Sequence, residues 1–272
     1  QNGQWFTTWL SHDLPKWNKE DHWFAPALLV GDRLVRPAPL AAETEFVTTD
    51  DGVTLPMWRL RWRHGGATST QGVFSPPAGG ETPQWLFSHR ADGDMPPQLY
   101  VRFQLENLPA GARLAMGLGR RPNCHYWDDT SRERTPVPFF TLPTKYRQAG
   151  QSIVDGDGKV ILQSASGFDL EAAGPVGMLA TFAADEHGDV YLCMPQTEVA
   201  EPALPFTKAD YEAAHRAFEE IWLRELREGA QVRLPSAEWM RRIDIWQSQV
   251  AAITRGHYQG AERLSYGANF YQ

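Results

Sequence analysis

The apolar residues of this chain change period close to residue 207, which divides it into a β-rich region, 1–206, and a helical region, 207–272. Every Pro except Pro235, and nearly all the Gly, lies in the first region, where apolar residues come in short alternating runs. The clearest run is 53–63, with Trp58, Leu60 and Trp62 on one side of an extended chain and Arg59, Arg61 and Arg63 on the other. A strict period of two marks a strand with one buried face. Asp51-Gly52 precedes it, and residues 45–49 lead into that turn, which predicts a hairpin. Leu99, Val101, Phe103 and Leu105 alternate with Tyr100, Arg102, Gln104 and Glu106 in a second such strand. Pro109-Ala110-Gly111 then turns the chain into Leu114, Met116 and Leu118. Asp155-Gly156-Asp157-Gly158 predicts a turn into 159–163, and His187-Gly188-Asp189 one between 177–183 and 190–194. Strands at this spacing, joined by hairpin turns with no helices between them, predict a mostly β fold. The expected architecture is a large antiparallel β-sandwich followed by two C-terminal α-helices.

Thr207 has the character of an N-cap, with Asp210 in the first turn of the helix it opens. Tyr211, Ala214, Phe218, Trp222 and Leu226 form one helical face, and Gly229 stands where a helix commonly stops. Pro235-Ser236 opens a second helix, with Glu238 in its first turn and Gly256 at its end. Trp239, Ile243, Trp246, Val250 and Ile253 follow at spacings of four, three, four and three. So narrow an apolar stripe predicts packing against one large surface.

Composition removes several classes of function. A 272-residue chain that is 42% hydrophobic and 22% charged builds a core, so disorder and fibrous architectures are excluded. With 33 Asp+Glu against 26 Lys+Arg, a net charge of -7 argues against nucleic acid. The basic triplets at 61–63 and 119–121 are too short to reverse that. No run approaches the ~18 apolar residues of a membrane span, so none is expected. The two cysteines, Cys124 and Cys193, fit either a bridge formed in an oxidising compartment or two buried free thiols. The chain starts at Gln1, as a cleaved signal peptide or an excised segment would, and its Asn-Phe-Tyr-Gln end reads as a cut.

The 11 Trp are the unusual count. An indole is both a core filler and a platform for flat polar ligands such as sugars. The densest cluster of functional side chains is His125, Tyr126, Trp127, Asp128 and Asp129, on an expected loop between strands. There, aromatic rings would stack on a pyranose and carboxylates would accept its hydroxyl protons. A solvated loop with Trp127 tucked into the sheet is the alternative. Asp155, Asp157 and Lys159 resemble the start of a calcium loop, but the twelfth position is Ser166, so a hairpin turn explains them better. The eight His, among them His12 and His22 flanking Trp17, show no zinc-ligand spacing. Gly117-x-Gly119 lacks the third glycine of a dinucleotide loop. No cofactor and no metal are expected.

The C-terminal region carries the segments FEEIWLRELREGAQV (218–232), LPSAEW (234–239) and GHYQGAERLSYGANFYQ (256–272), placed after a large β region. This order of parts resembles the N-terminal β-supersandwich and helical linker of bacterial six-hairpin glycosidases, glucoamylase-like enzymes and disaccharide phosphorylases among them. In architecture the likeness spans the chain; in readable motif it is confined to about 207–272. It implies that Trp222, Gly229 and Pro235 belong to the linker helix and the turn into a first barrel helix. It also implies that 266–271 lead into an (α/α)6 barrel. The barrel itself lies outside this sequence, and the family's general acid and base lie in the barrel, so no catalytic residue carries over. The resemblance therefore implies a non-catalytic accessory region of a carbohydrate-active enzyme, secreted or periplasmic. Its expected partners are an oligosaccharide or polysaccharide and a helical barrel in the same polypeptide. A self-sufficient carbohydrate-binding module or lectin is a second expectation. A third is a stand-alone enzyme on a polar small molecule, with Asp128 and Asp129 as acid and base.

Overall fold

The computed structural model describes residues 5–7, 21–35, 42–74, 98–121, 145–173, 177–195, 205–228, 232, 234–254, 256–258 and 261–263. The cluster His125–Asp129 is outside the described residues, as are Cys124, His12 and Trp17. Two antiparallel sheets make up most of the fold. The smaller contains β1 (Trp5–Thr7), β2 (Asp21–Val30), β3 (Arg33–Val35), β8 (Arg113–Arg121), β12 (Phe168–Ala172) and β13 (Met178–Phe182). Its order is β1-β2-β8-β13-β12, with β3 paired to β2. The larger is built from β4 (Glu43–Thr48), β5 (Thr54–His64), β6 (Ala67–Phe74), β7 (Gln98–Glu106), β9 (Arg147–Ala149), β10 (Ser152–Val154), β11 (Val160–Ser164) and β14 (Asp189–Pro195). These run in the order β4-β5-β6-β7-β14-β11-β10-β9. Helices α1 (Lys208–Glu228) and α2 (Ala237–Thr254) follow, then a short ribbon of β15 (Gly256–Tyr258) and β16 (Ala261–Arg263).

The sandwich core comes from the alternation visible in the sequence. Leu60, Trp62, Val101, Phe103, Leu105, Val190, Leu192 and Met194 of the large sheet meet Phe24, Leu28, Leu114, Met116, Leu118, Ala180 and Phe182 of the small one. Each Val, Leu, Phe or Met side chain among them, fully buried, contributes about 1.5–3 kcal/mol.

Part of the large sheet's other face is buried too. Leu55, Met57, Phe74, Tyr100, Tyr191 and Cys193 form a second core with Phe206 and with Tyr211, Phe218 and Trp222 of α1. Phe74 is its hub, with ring centroids 5.5 Å from Tyr100, 5.4 Å from Tyr211 and 5.1 Å from Phe218. The expected face of α1 is the one that packs. Its N-terminus is closed by a capping box: Thr207 N donates to Asp210 Oδ2 at 2.8 Å, and Asp210 N donates to Thr207 Oγ1 at 3.2 Å.

Three turns share one design. Thr49, Asp155 and Asp185 each receive a backbone N–H on their side-chain oxygen from the residue four further on, at 3.1, 2.9 and 2.9 Å. A left-handed glycine stands three residues after each: Gly52, Gly158 and Gly188. The Asp155 carboxylate also accepts from Asp157 N at 3.0 Å, so the calcium-like spacing folds as a hairpin turn between β10 and β11.

Three expectations are corrected. Pro109-Ala110-Gly111 and His187-Gly188-Asp189 do not close hairpins; both carry the chain between sheets, since β7 pairs with β6 and β14 while β8 pairs with β2 and β13. The strands they join bury their alternate residues against each other face to face, which gives the same period of two as a hairpin. Trp58, on the side shared with Leu60 and Trp62, is 44% exposed and packs on Phe46 with centroids 4.2 Å apart. The two tryptophans of the α2 stripe are not sealed either: Trp239 is 56% exposed and Trp246 62%, while Ile243 is half-buried and the side chains of Val250 and Ile253 lie outside the described residues.

Candidate functional site

Beside the shared core, between the outer face of the large sheet and α1, lies a cleft of about 580 Å³. Strand register builds its floor. Arg59 of β5 pairs with Gly72 of β6, Gly72 with Arg102 of β7, and Arg102 with Tyr191 of β14, so these four side-chain positions form one row. Thr70, Gln104 and Asp189 form the next row on the same face. Neighbouring strands lie roughly 4.8 Å apart, which sets the Arg59 and Arg102 backbones about 10 Å from each other. Gly72 puts no side chain between them, and a Cβ there would come within 3.0 Å of Met57 Cε.

Asp189 is the anchor of the site. It is buried at 3% exposure and accepts from Arg102 Nε at 3.1 Å, Arg102 Nη2 at 2.7 Å and the Tyr191 hydroxyl at 2.9 Å. The Tyr191 ring lies 4.8 Å from that of Tyr211, and Lys208 Nζ stands 5.2 Å from its centroid. Lys208 in turn donates to Asp185 at 3.1 Å, which ties the start of α1 to the β13–β14 turn.

The opposite wall is α1, through Lys208, Tyr211, Glu212, His215, Arg216 and Glu219. His215 Nδ1 lies 3.7 Å from Glu219, and its ring meets Phe74 edge-on at 5.1 Å. Burial holds the His215 imidazole below its ordinary pKa; Glu219 opposes this, and the charges of Arg102 and Arg59 add to it. Burial also pushes the Tyr211 phenol well up. The lining thus carries four fixed cations, Arg59, Arg102, Lys208 and Arg216, against the carboxylates of Asp189, Glu212 and Glu219. Its chemistry is hydrogen bonding and charge recognition. Among the described residues, no group of three or more His, Cys, Asp or Glu converges in a way that could hold a metal ion.

Other residues singled out by the sequence have structural places. His22 is buried, and its Nδ1 lies 2.8 Å from the Tyr146 hydroxyl, which donates to Gly119 O at 3.0 Å. Gly117 and Gly119 thus sit within strand β8 rather than in a phosphate loop. Cys193 is a buried free thiol donating to Gln98 Oε1 at 3.1 Å, and burial raises its pKa far above the ordinary range. No described helix is long and apolar enough to cross a membrane. The cleft was not foreseen. Its signal was the alternation that set Arg59 and Arg102 on the side away from the sandwich core, but the pairing that puts them in one row is non-local. No protein-family model matches the chain, and no curated protein sequence matches it.

Proposed function

We propose that this chain is a non-catalytic accessory region of a carbohydrate-active enzyme, whose sandwich holds two helices in place for a helical barrel domain of the same polypeptide. The contrast between the helices carries this reading. α1 sinks Tyr211, Phe218 and Trp222 into a core shared with the large sheet. α2 leaves Trp239 and Trp246, seven residues and so two turns apart on one face, largely open. Burying an aromatic side chain of this size is favourable by about 1.5–3 kcal/mol, so two on one helix face make a surface suited to a packed neighbour. The sandwich-then-linker-helix order of the six-hairpin glycosidases supplies a neighbour of the right kind. A secreted or periplasmic location goes with that reading.

The test is to assay purified 1–272 against a panel of α- and β-linked disaccharides, with water and with phosphate as acceptor. No turnover is expected on any of them. Turnover that survives purification and scales with the amount of this chain would overturn the proposal.

A further inference from the structure

We infer that the cleft between the large sheet and α1 is a binding site for a small hydroxylated carboxylate, a hexuronic acid being the simplest. The carboxylate would sit between the Arg59 and Arg102 guanidiniums, over the Met57 methyl that covers Gly72. Three observations lead there. First, among the described residues the arginine donors are only partly used: Arg102 gives Nε and Nη2 to Asp189, and Arg59 gives Nη1 to Glu45 at a long 3.4 Å. Asp189 fixes the Arg102 guanidinium in place, and a guanidinium held on one side offers a pre-set edge to a second carboxylate.

Second, Gly72 is the one position in that row without a side chain, so only the Met57 methyl, 3.0 Å from where a Cβ would stand, lies between the two cations, and it gives the cleft an apolar floor there. Thr70 is 8% exposed and lines the cleft with Gln104; neither side chain has a hydrogen-bond partner among the described residues. They supply a hydroxyl and an amide for a ligand's oxygens. Third, the helix wall sets Glu212 and Glu219 against Lys208 and Arg216, with His215 beside Glu219. Its fixed charge is balanced, so it suits hydroxyls, which both donate and accept, better than an ammonium group. A volume of about 580 Å³ admits one or two sugar rings.

The choice of a sugar acid rests on the carbohydrate reading above; recognition of a hydroxylated carboxylate does not. The experiment is calorimetric titration of 1–272 with D-glucuronate, D-galacturonate, D-gluconate and D-glucose. It is repeated with Arg59→Gln, with Thr70→Val, and with Arg113→Gln as a control on the other sheet. Saturable binding of at least one acid is expected, with none for glucose. Arg59→Gln should weaken it tenfold or more, Thr70→Val several-fold, and Arg113→Gln not at all. Gluconate binding without uronate binding would support the site while removing this support from the carbohydrate reading. Equal binding of glucose, no binding of any acid, or unchanged affinity in Arg59→Gln would overturn the inference. Arg59 and Thr70 are chosen because neither anchors a buried charge, so their variants keep the fold; thermal melts of each would verify this.

Discussion

Arg102 grips the buried carboxylate of Asp189 with two nitrogens, Nε at 3.1 Å and Nη2 at 2.7 Å, across the β7–β14 pair. Asp189 also ends the turn that brings the chain from the small sheet to the large one, so the pair joins sandwich topology to cleft chemistry. Removing the cation strands a charge that is 3% exposed. Arg102→Gln should cost roughly 3 kcal/mol, the low end for a broken buried pair, because Arg102 itself keeps 38% exposure and water screens it. Arg102→Lys should restore little, since one ammonium cannot make both bonds. Urea denaturation of the three proteins measures this, and a loss within about 0.5 kcal/mol would contradict it.

His22 gives the fold an acid limit. Burial is the main cause that lowers its pKa from 6.5 to about 4; Asp155 opposes and Lys159 adds. As the pH falls, the unfolded chain takes up the proton first. The contribution of neutral His22 is therefore complete above about 6.5 and is lost progressively down to about 4. The full loss is roughly 3 kcal/mol. Stability measured in pH steps should show this slope in wild type and a flatter one in His22→Gln.

Two glycines of the same turn design should respond differently. Gly158 and Gly188 both have positive φ, +77° and +82°. A Cβ at Gly158 meets nothing within 4 Å, whereas one at Gly188 would lie 2.4 Å from Leu105 O. Gly158→Ala should cost about 1–2 kcal/mol from backbone strain alone. Gly188→Ala should add roughly 2 kcal/mol as β7 is pushed away, and it also disturbs the 2.8 Å bond from Leu105 N to Gly188 O. Equal melting-temperature losses would contradict this.

Phe218 and Trp222 of α1 contrast with Trp239 and Trp246 of α2. Phe218→Ala or Trp222→Ala opens the core under α1 and should cost about 3–5 kcal/mol. Trp239→Ser and Trp246→Ser remove open side chains and should each stay within about 0.5 kcal/mol in 1–272. A large loss in the second pair would mean that α2 is sealed against the sandwich.

The two-part layout, the strands around 58–63 and 99–105 and the packing face of α1 were legible because each is encoded locally, by a period of two or of 3.6. The sheet to which each strand belongs was not, since a connection between facing sheets and a hairpin leave the same alternating pattern. The cleft depends on Arg59, Gly72 and Arg102 falling in one row, a relation between strands as far as 43 positions apart in the chain. The helical period of Trp239 and Trp246 showed a shared face, but not whether anything covers it.

The most direct measurement is the intact mass of the polypeptide that carries this sequence, captured from its source with an antibody raised against 1–272. A mass well above 30.7 kDa, with glycoside-cleaving or phosphorolytic activity in the captured material, is the expected result. A mass of 30.7 kDa, or a longer polypeptide inactive on every glycoside tested, would contradict the reading of this chain as the accessory region of a carbohydrate-active enzyme.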